Sequence, residues 1–270
     1  MIESLKVCLS IAGLDPSGGA GIIADIKTFA AFGCYGAAAV TSVTFQNTSG
    51  VFGAVHQTAD SVRQQVQPII DDFRVHSVKT GMLPTAEIIE ETARLVSEND
   101  LRNVVVDPVV RSTSGYDLID DAALRILIER LFPLSDVVTP NLPEAERITG
   151  IAIESDQDIE DAARMMRSMG AKNVLIKGGH RRISGSGPLT ARDHLFLAGK
   201  IETFESEFID TNATHGTGCT LASAIAANLA LGKDLVGSVE EAKKFVTAAI
   251  RTAPNIGGGH SPINHLVGDW

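Results

Sequence analysis

Residues 102–109 read RNVVVDPV. The apolar run is continuous rather than alternating, which is the pattern of a strand buried on both faces. On either side the period changes. Upstream, TAEIIEETARLVSE (85–98) has helical spacing, with Thr85 placed to cap it; downstream, DDAALRILIERLF (120–132) is helical again. A two-faced strand between two helices predicts a mostly parallel sheet between helical layers.

The same alternation runs outward to both ends. LKVCLSIAG (5–13), YGAAAVTSVTF (35–45), HSVKTG (76–81), SDVVTPN (135–141) and KNVLIKGG (172–179) read as strands. Helical segments are GAGIIADIKTFAAFG (19–33), SVRQQVQPIIDDF (61–73) with Pro68 as a kink, PEAERITG (143–150), DQDIEDAARMMRSMG (156–170), GTGCTLASAIAANLALG (216–232) and SVEEAKKFVTAAIRTA (238–253). ARDHLFLAGKIETFESEFI (191–209) alternates like a hairpin turning near Gly199, and GGHRRISGSGPLT (178–190) reads as a mobile loop. Residues 28–59 carry no Asp, Glu, Lys or Arg and read as a buried strand followed by a substrate-facing loop. The expectation is an α/β fold of three layers, αβα, in a single domain over 1–270 with a small loop and hairpin region near 180–208.

The chain has 270 residues, 44% hydrophobic and 21% charged, enough for a sizeable core. A net charge of -10 argues against a nucleic-acid partner. The polar residues within 28–59 make that stretch a poor membrane span. Three scattered cysteines without CxxC spacing argue against a disulfide framework or zinc site and fit a reducing cytoplasm. The N-terminal segment runs straight into a strand and does not read as a signal peptide.

GAGIIA (19–24) fits the G-x-G-x-x-G/A pattern of dinucleotide sites. That reading needs an acid about 20 residues on, and none occurs from Ile26 to Ala59. No P-loop is present. Phosphoryl transfer fits better. Asp107 ends a buried strand, where open sheets form ligand crevices. Asn141 and Glu144 lie three apart around a helix start. HGTGCTLASAIAA (215–227) aims the free N–H groups of a helix N-terminus at an anion. Each feature alone has a plainer reading: a strand-end turn, an N-cap, a first-turn acid, a tight helix entry. Their recurrence after successive strands favours a site.

AGLDPSGGAGIIADIKTF, VTFQNTSGV, KTGML, VVVDPV, TPNLPEAE, IKGGH, THGTGCTLASAIAA and GGGHSPINH occur in this order across nearly the whole chain. Together they resemble the hydroxymethylpyrimidine/phosphomethylpyrimidine kinases of thiamine biosynthesis, in the ribokinase-like superfamily. The resemblance implies ATP-dependent phosphorylation of 4-amino-5-hydroxymethyl-2-methylpyrimidine and then of its monophosphate. Pyridoxal kinases of the same superfamily are the alternative. It implies that Gly13, Asp25, Gln46, Met82 and Val109 surround the pyrimidine. Asp107 and Glu144 would organise Mg2+, largely through water, with Asn141, Lys177 and Gly178–Gly179 near ATP. Gly216, Thr217 and Gly218 would form the anion turn. It also implies a homodimer. His215 is read as a phosphate contact or a cap, Arg181 and Arg182 as solvated, His260 and His265 as structural. Cys219 follows the anion turn, where most sugar-kinase relatives carry Asp. A helix mouth lowers a thiol's pKa, so Cys219 is expected to act as a base or a positioning group beside the substrate hydroxyl; a packed small hydrophobe is the plainer reading.

Overall fold

The computed structural model describes residues 5–110, 118–178 and 190–268. In chain order the elements are β1 (Val7–Leu14), α1 (Gly21–Ala31), β2 (Tyr35–Asn47), β3 (Gly50–His56), α2 (Ala59–Asp72), β4 (Val75–Thr80), α3 (Ala86–Glu98), β5 (Val104–Val106), α4 (Asp121–Arg130), β6 (Val137–Val138), α5 (Leu142–Thr149), α6 (Asp156–Ser168), β7 (Val174–Lys177), β8 (Thr190–Leu197), β9 (Lys200–Glu207), α7 (Thr217–Ala230) and α8 (Leu235–Arg251). The strands form one sheet in the order β3-β2-β1-β4-β5-β6-β7-β8-β9. The run from β2 to β7 is parallel. The outer β3, β8 and β9 pair antiparallel.

The valine run of β5 shows why the strands are apolar throughout. Val104 and Val106 face a core shared with α2–α6, while Val105 faces a second core built on α1, α7 and α8. Period-2 alternation therefore serves two cores at once. Burying a side chain of this size contributes roughly 1.5–3 kcal/mol. α7 is apolar on nearly every side and buried along most of its length, as a helix needs to be when it presents no polar face to water. Among the described residues, no helix is long and apolar enough to cross a membrane.

One expectation changes. The segment after β2, read as a loop, contains the strand β3, and β2 itself extends to Asn47. The tight turn between them places Val51 and Val55 for antiparallel pairing with β2. The register slips between Phe45 and Gln46; such a bulge re-aims the side chains beside it. Gly179, Arg181 and Arg182, and nearly all of the loop expected to be mobile, lie outside the described residues.

Sheet order positions the site. The chain passes from β1 to β2 on one side, then returns to place β4 on the other. Neighbouring connections that leave in opposite directions open a crevice at the carboxyl ends of the strands. Gly13, Gly81, Met82 and Asp107 all lie at those ends.

Candidate active site

Two helix mouths meet at this crevice. α1 begins at Gly21, with φ 57°, and a Cβ there would lie 2.3 Å from the Gly13 carbonyl oxygen. No side chain caps α1 at Ala20. Asp15 serves the turn before it instead: its Oδ2 accepts from the Gly19 and Ala20 N–H groups at 3.2 and 2.9 Å, and its Oδ1 from Ser17 N–H at 2.8 Å. α7 begins after Gly216, with φ 83°, where a Cβ would fall 1.8 Å from the Gly19 carbonyl oxygen. The two glycine-rich turns are therefore pressed backbone to backbone. His215 pins them from the side, its Nε2 2.7 Å from Asp15 Oδ2. Burial would raise the Asp15 pKa, but hydrogen bonds from His215, Ser17 and Gln46 outweigh it and hold the carboxyl well below the usual range.

On the side expected to face the pyrimidine, Gly13, Gln46, Met82 and Val109 lie at or just beyond the carboxyl ends of β1, β2, β4 and β5. A Cβ on Gly13 would lie 3.0 Å from Met82 Sδ, so these two residues form one wall. Gln46 reaches this region through its hydrogen bond to Asp15. Val109 follows Asp107 in the strand-end turn, its N–H donating to the Asp107 carbonyl at 2.8 Å. Asp25 departs from expectation. It is fully buried and its oxygens accept from Ser10 Oγ (2.6 Å), Ser223 Oγ (2.7 Å) and, twice, Lys79 Nζ (2.9 Å each). Its acceptor positions are taken by protein groups and it has no exposed surface.

On the phosphate side, Lys177 Nζ lies 3.0 Å from Asp107 Oδ1, which also accepts from Thr139 Oγ1 at 3.1 Å. A Cβ on Gly218 would lie 3.3 Å from Lys177 Nζ and 3.9 Å from Asp107 Oδ2, so the first turn of α7 faces this pair. Asn141 and Glu144 form a reciprocal cap on α5: Asn141 Oδ1 accepts from Glu144 N–H at 2.9 Å, and Glu144 Oε2 accepts from Asn141 N–H at 2.8 Å. Glu144 Oε1 accepts from Val110 N–H at 3.4 Å. Burial pushes the Glu144 carboxyl up, Lys177 opposes and Asp107 adds to the rise; the result is about 7. Burial works against the Lys177 ammonium, but Asp107 and Glu144 outweigh it and its pKa is raised. Gly178 packs under β8, where a Cβ would lie 2.3 Å from the Arg192 carbonyl oxygen.

Cys219 joins the two sides. It sits in the first turn of α7 and its sulfur accepts from the Gly21 N–H. The expected thiolate is not found. Burial raises the thiol most; Lys79 opposes, Asp25 and Asp107 add to the rise, and the pKa is pushed up to about 11. The C-terminal motif closes the back of the site. His265 is buried, with Nε2 2.9 Å from Thr220 Oγ1, and His260 N–H donates to the Thr48 carbonyl at 2.8 Å. Sequence reasoning passed over Asp15 and Lys79, although both lie inside quoted motifs; each is an acid or base within an otherwise apolar or glycine-rich stretch.

A family model for phosphomethylpyrimidine kinase matches residues 15–264. The chain belongs to the phosphomethylpyrimidine kinase family. A hydroxymethylpyrimidine/phosphomethylpyrimidine kinase of Haemophilus influenzae is 44% identical over 265 residues, covering 98% of each chain. One from Staphylococcus aureus is 42% identical over 263 residues, 97% of this chain and 94% of its own length. Among solved structures, Bacillus subtilis pyridoxal kinase in complex with ADP is similar with a TM-score of 0.87 and 38% identity, covering 97% of this chain and 98% of that one. The fold of this chain is thus close to that of a pyridoxal kinase.

Proposed function

We propose that the chain transfers the γ-phosphoryl group of ATP to the hydroxymethyl group of 4-amino-5-hydroxymethyl-2-methylpyrimidine, and then a second one to the resulting monophosphate. The observation that carries this reading is the meeting of the α7 mouth with the Lys177–Asp107 pair on one side and the Gly13–Met82 wall on the other. Phosphoryl transfer depends mainly on alignment and charge stabilisation. Here the N–H groups of Gly218 and Cys219, which have no partner within the helix by position, receive the transferred group, with Thr217 and Gly216 shaping the turn. Lys177 supplies positive charge. Gln46 reads the ring, with Gly13, Met82 and Val109 around it. Asn141 and Gly178 border ATP; Asn141 uses its Oδ1 as a cap, which leaves its amide NH2 for a ligand.

The acidic residues fit a water-held cation. Both Glu144 oxygens already accept backbone N–H groups, so it suits a contact through water rather than direct coordination. Asp107 Oδ2 accepts no hydrogen bond among the described residues and offers the nearer acceptor. Mg2+ keeps several waters beside phosphate ligands and, when bound there, neutralises phosphate charge. Cys219 is a thiol at neutral pH in the substrate-free protein and faces the substrate hydroxyl, which it orients.

A second reading, pyridoxal kinase, is favoured by the similarity to structures of that enzyme, including one from Staphylococcus aureus in complex with AMP-PCP and pyridoxal at a TM-score of 0.88 and 30% identity. The proposal also takes the chain as a cytoplasmic homodimer: its three cysteines are free, and Phe45, Phe52 and Val55 leave apolar surface at the β2–β3 edge. ATP consumption with hydroxymethylpyrimidine, its monophosphate, pyridoxal and ribose tests the substrate. Magnesium-dependent turnover of both pyrimidines is expected. Pyridoxal turnover with both pyrimidines inactive would move the assignment to the second reading.

A further inference from the structure

Lys79 lies on β4 with no exposed surface, beside a carboxylate that is equally buried. A buried ammonium tends to lose its proton. Burial does act on Lys79 most strongly, but Asp25, then Cys219 and Asp107, outweigh it and keep the side chain charged. A buried ion pair of this kind adds little stability over apolar residues of the same size, so its place in the fold calls for another account.

That place is below Cys219. Ser223 is one helical turn beyond Cys219 on α7, so the two share a face, and Ser223 Oγ donates to Asp25 Oδ1. Ser10 on β1 donates to Asp25 Oδ2, and Lys79 donates to both oxygens. Four elements, β1, α1, β4 and α7, are thereby tied together beneath the crevice. Gly81 leaves room for the ammonium: a Cβ there would approach Lys79 Nζ at 2.9 Å. Charged groups from several elements act at the Cys219 sulfur. Lys79 on β4 favours its ionised form, while Asp25 on α1 and Asp107 just after β5 oppose it; Lys177 on β7 also feels it.

We propose that Lys79 is the counter-cation of Cys219, held in place by Asp25, Ser10 and Ser223, and that this cluster is a positioning device for phosphoryl transfer. The proposal deepens the kinase reading and rests on it for its catalytic half. Lys79 touches no substrate; it sets the fraction of Cys219 that is ionised, and that thiolate takes the hydroxyl proton while the oxygen attacks phosphorus and the bond to the ADP leaving group breaks. Asp25 fixes the ammonium at the right distance and also restrains it, because its own charge opposes the thiolate.

Two variants separate these effects. Asp25→Asn keeps the shape and leaves Cys219 and Asp107 as the groups whose negative charge favours the Lys79 ammonium. Asp25→Asn with Lys79→Met removes both charges. The first readout is iodoacetamide alkylation of Cys219 against pH, followed by mass spectrometry on substrate-free protein, with thermal unfolding to confirm the fold. It does not depend on kinase activity, so failure of the kinase reading leaves it intact. The alkylation midpoint should fall in Asp25→Asn by roughly one unit or more; in the double variant, which differs from Asp25→Asn only in lacking the cation, it should stand above that of Asp25→Asn by a similar amount. The second readout is kcat: relative to Asp25→Asn, the double variant should lose about tenfold per unit of upward shift, with KM for ATP unchanged and the loss narrowing as pH rises. An unmoved midpoint in Asp25→Asn, or equal midpoints in the two variants, overturns the counter-cation role; a kcat in the double variant equal to that of Asp25→Asn despite the higher midpoint overturns the catalytic half.

Discussion

Gly216→Ala tests whether the close approach of the two glycine-rich turns makes the site. Two costs act at this position. The left-handed backbone, φ 83°, is about 1–2 kcal/mol less favourable for an L residue with a Cβ. The added carbon would also sit 1.8 Å from the Gly19 carbonyl oxygen, about 1.6 Å short of ordinary contact at 3.4 Å. The obstacle is backbone, so relief requires the α7 mouth and the Asp15 turn to part. Overpacking of this kind costs typically 1–3 kcal/mol, for a total of about 2–5 kcal/mol. At roughly 2–4 °C per kcal/mol, the melting temperature should fall by about 4–20 °C. Opening the mouth by more than 1 Å also misaligns the phosphoryl acceptor, and a shift of that size costs about 10²-fold in turnover. Gly232→Ala is the control. Gly232 follows α7 at its other end with φ 89° and has nothing within 4 Å of its absent Cβ. It carries the backbone cost alone and should melt about 2–8 °C low with normal kcat. Thermal unfolding and steady-state ATP consumption measure both variants. If Gly216→Ala matched Gly232→Ala in both, the packing of the two turns would not be what builds the site.

Gln46→Leu should weaken binding of the pyrimidine by about 1–3 kcal/mol while ATP affinity survives; an unchanged KM and kcat would show that Gln46 does not read the ring. Folded Cys219→Ala should bind both substrates yet lose about 10²–10⁴-fold in single-turnover phosphoryl transfer, and a wild-type rate would leave the sulfur as packing. Glu144, with its pKa raised to about 7, stabilises the fold in its protonated form: that contribution is complete below the unfolded pKa near 4.5 and is lost as pH rises through 7. Denaturant midpoints at pH 4.5 and 7.5 should therefore differ less in Glu144→Gln, which retains the cap, than in the unsubstituted protein; equal differences would remove Glu144 from the balance.

The sheet was legible because its two-faced strands leave a local trace: the valines of β5 announce burial without reference to any other segment. β3 left a weaker one, since its short turn, Gly50 and Gly53 interrupt the alternation, and its pairing with β2 was not evident from spacing. Glycines of the anion turn were readable from local backbone requirements. Asp25 was not. Its partners Ser10, Lys79 and Ser223 lie 15, 54 and 198 residues away, and only the fold brings them together. Cys219 shows the same limit: its position at a helix mouth argues for ionisation, whereas burial and the carboxylates of Asp25 and Asp107, contributed by other elements, decide against it.

The docking of residues 257–265 has a consequence for synthesis. Gly259 N–H reaches Thr48 Oγ1 across 211 positions, His215 N–H donates to the Ser261 carbonyl, and a Cβ on Gly259 would run into Thr48 backbone. A chain emerging from the ribosome folds its N-terminal parts first, so β1, α1 and β2 can assemble while α7 and the segment that seals it are still being made. Until that segment arrives, the turn at Thr48 and the mouth at His215 lack their shared cover. Closure of the α7 mouth is thus a late event in the life of each molecule, and a nascent chain can hold much of its sheet before that mouth is finished.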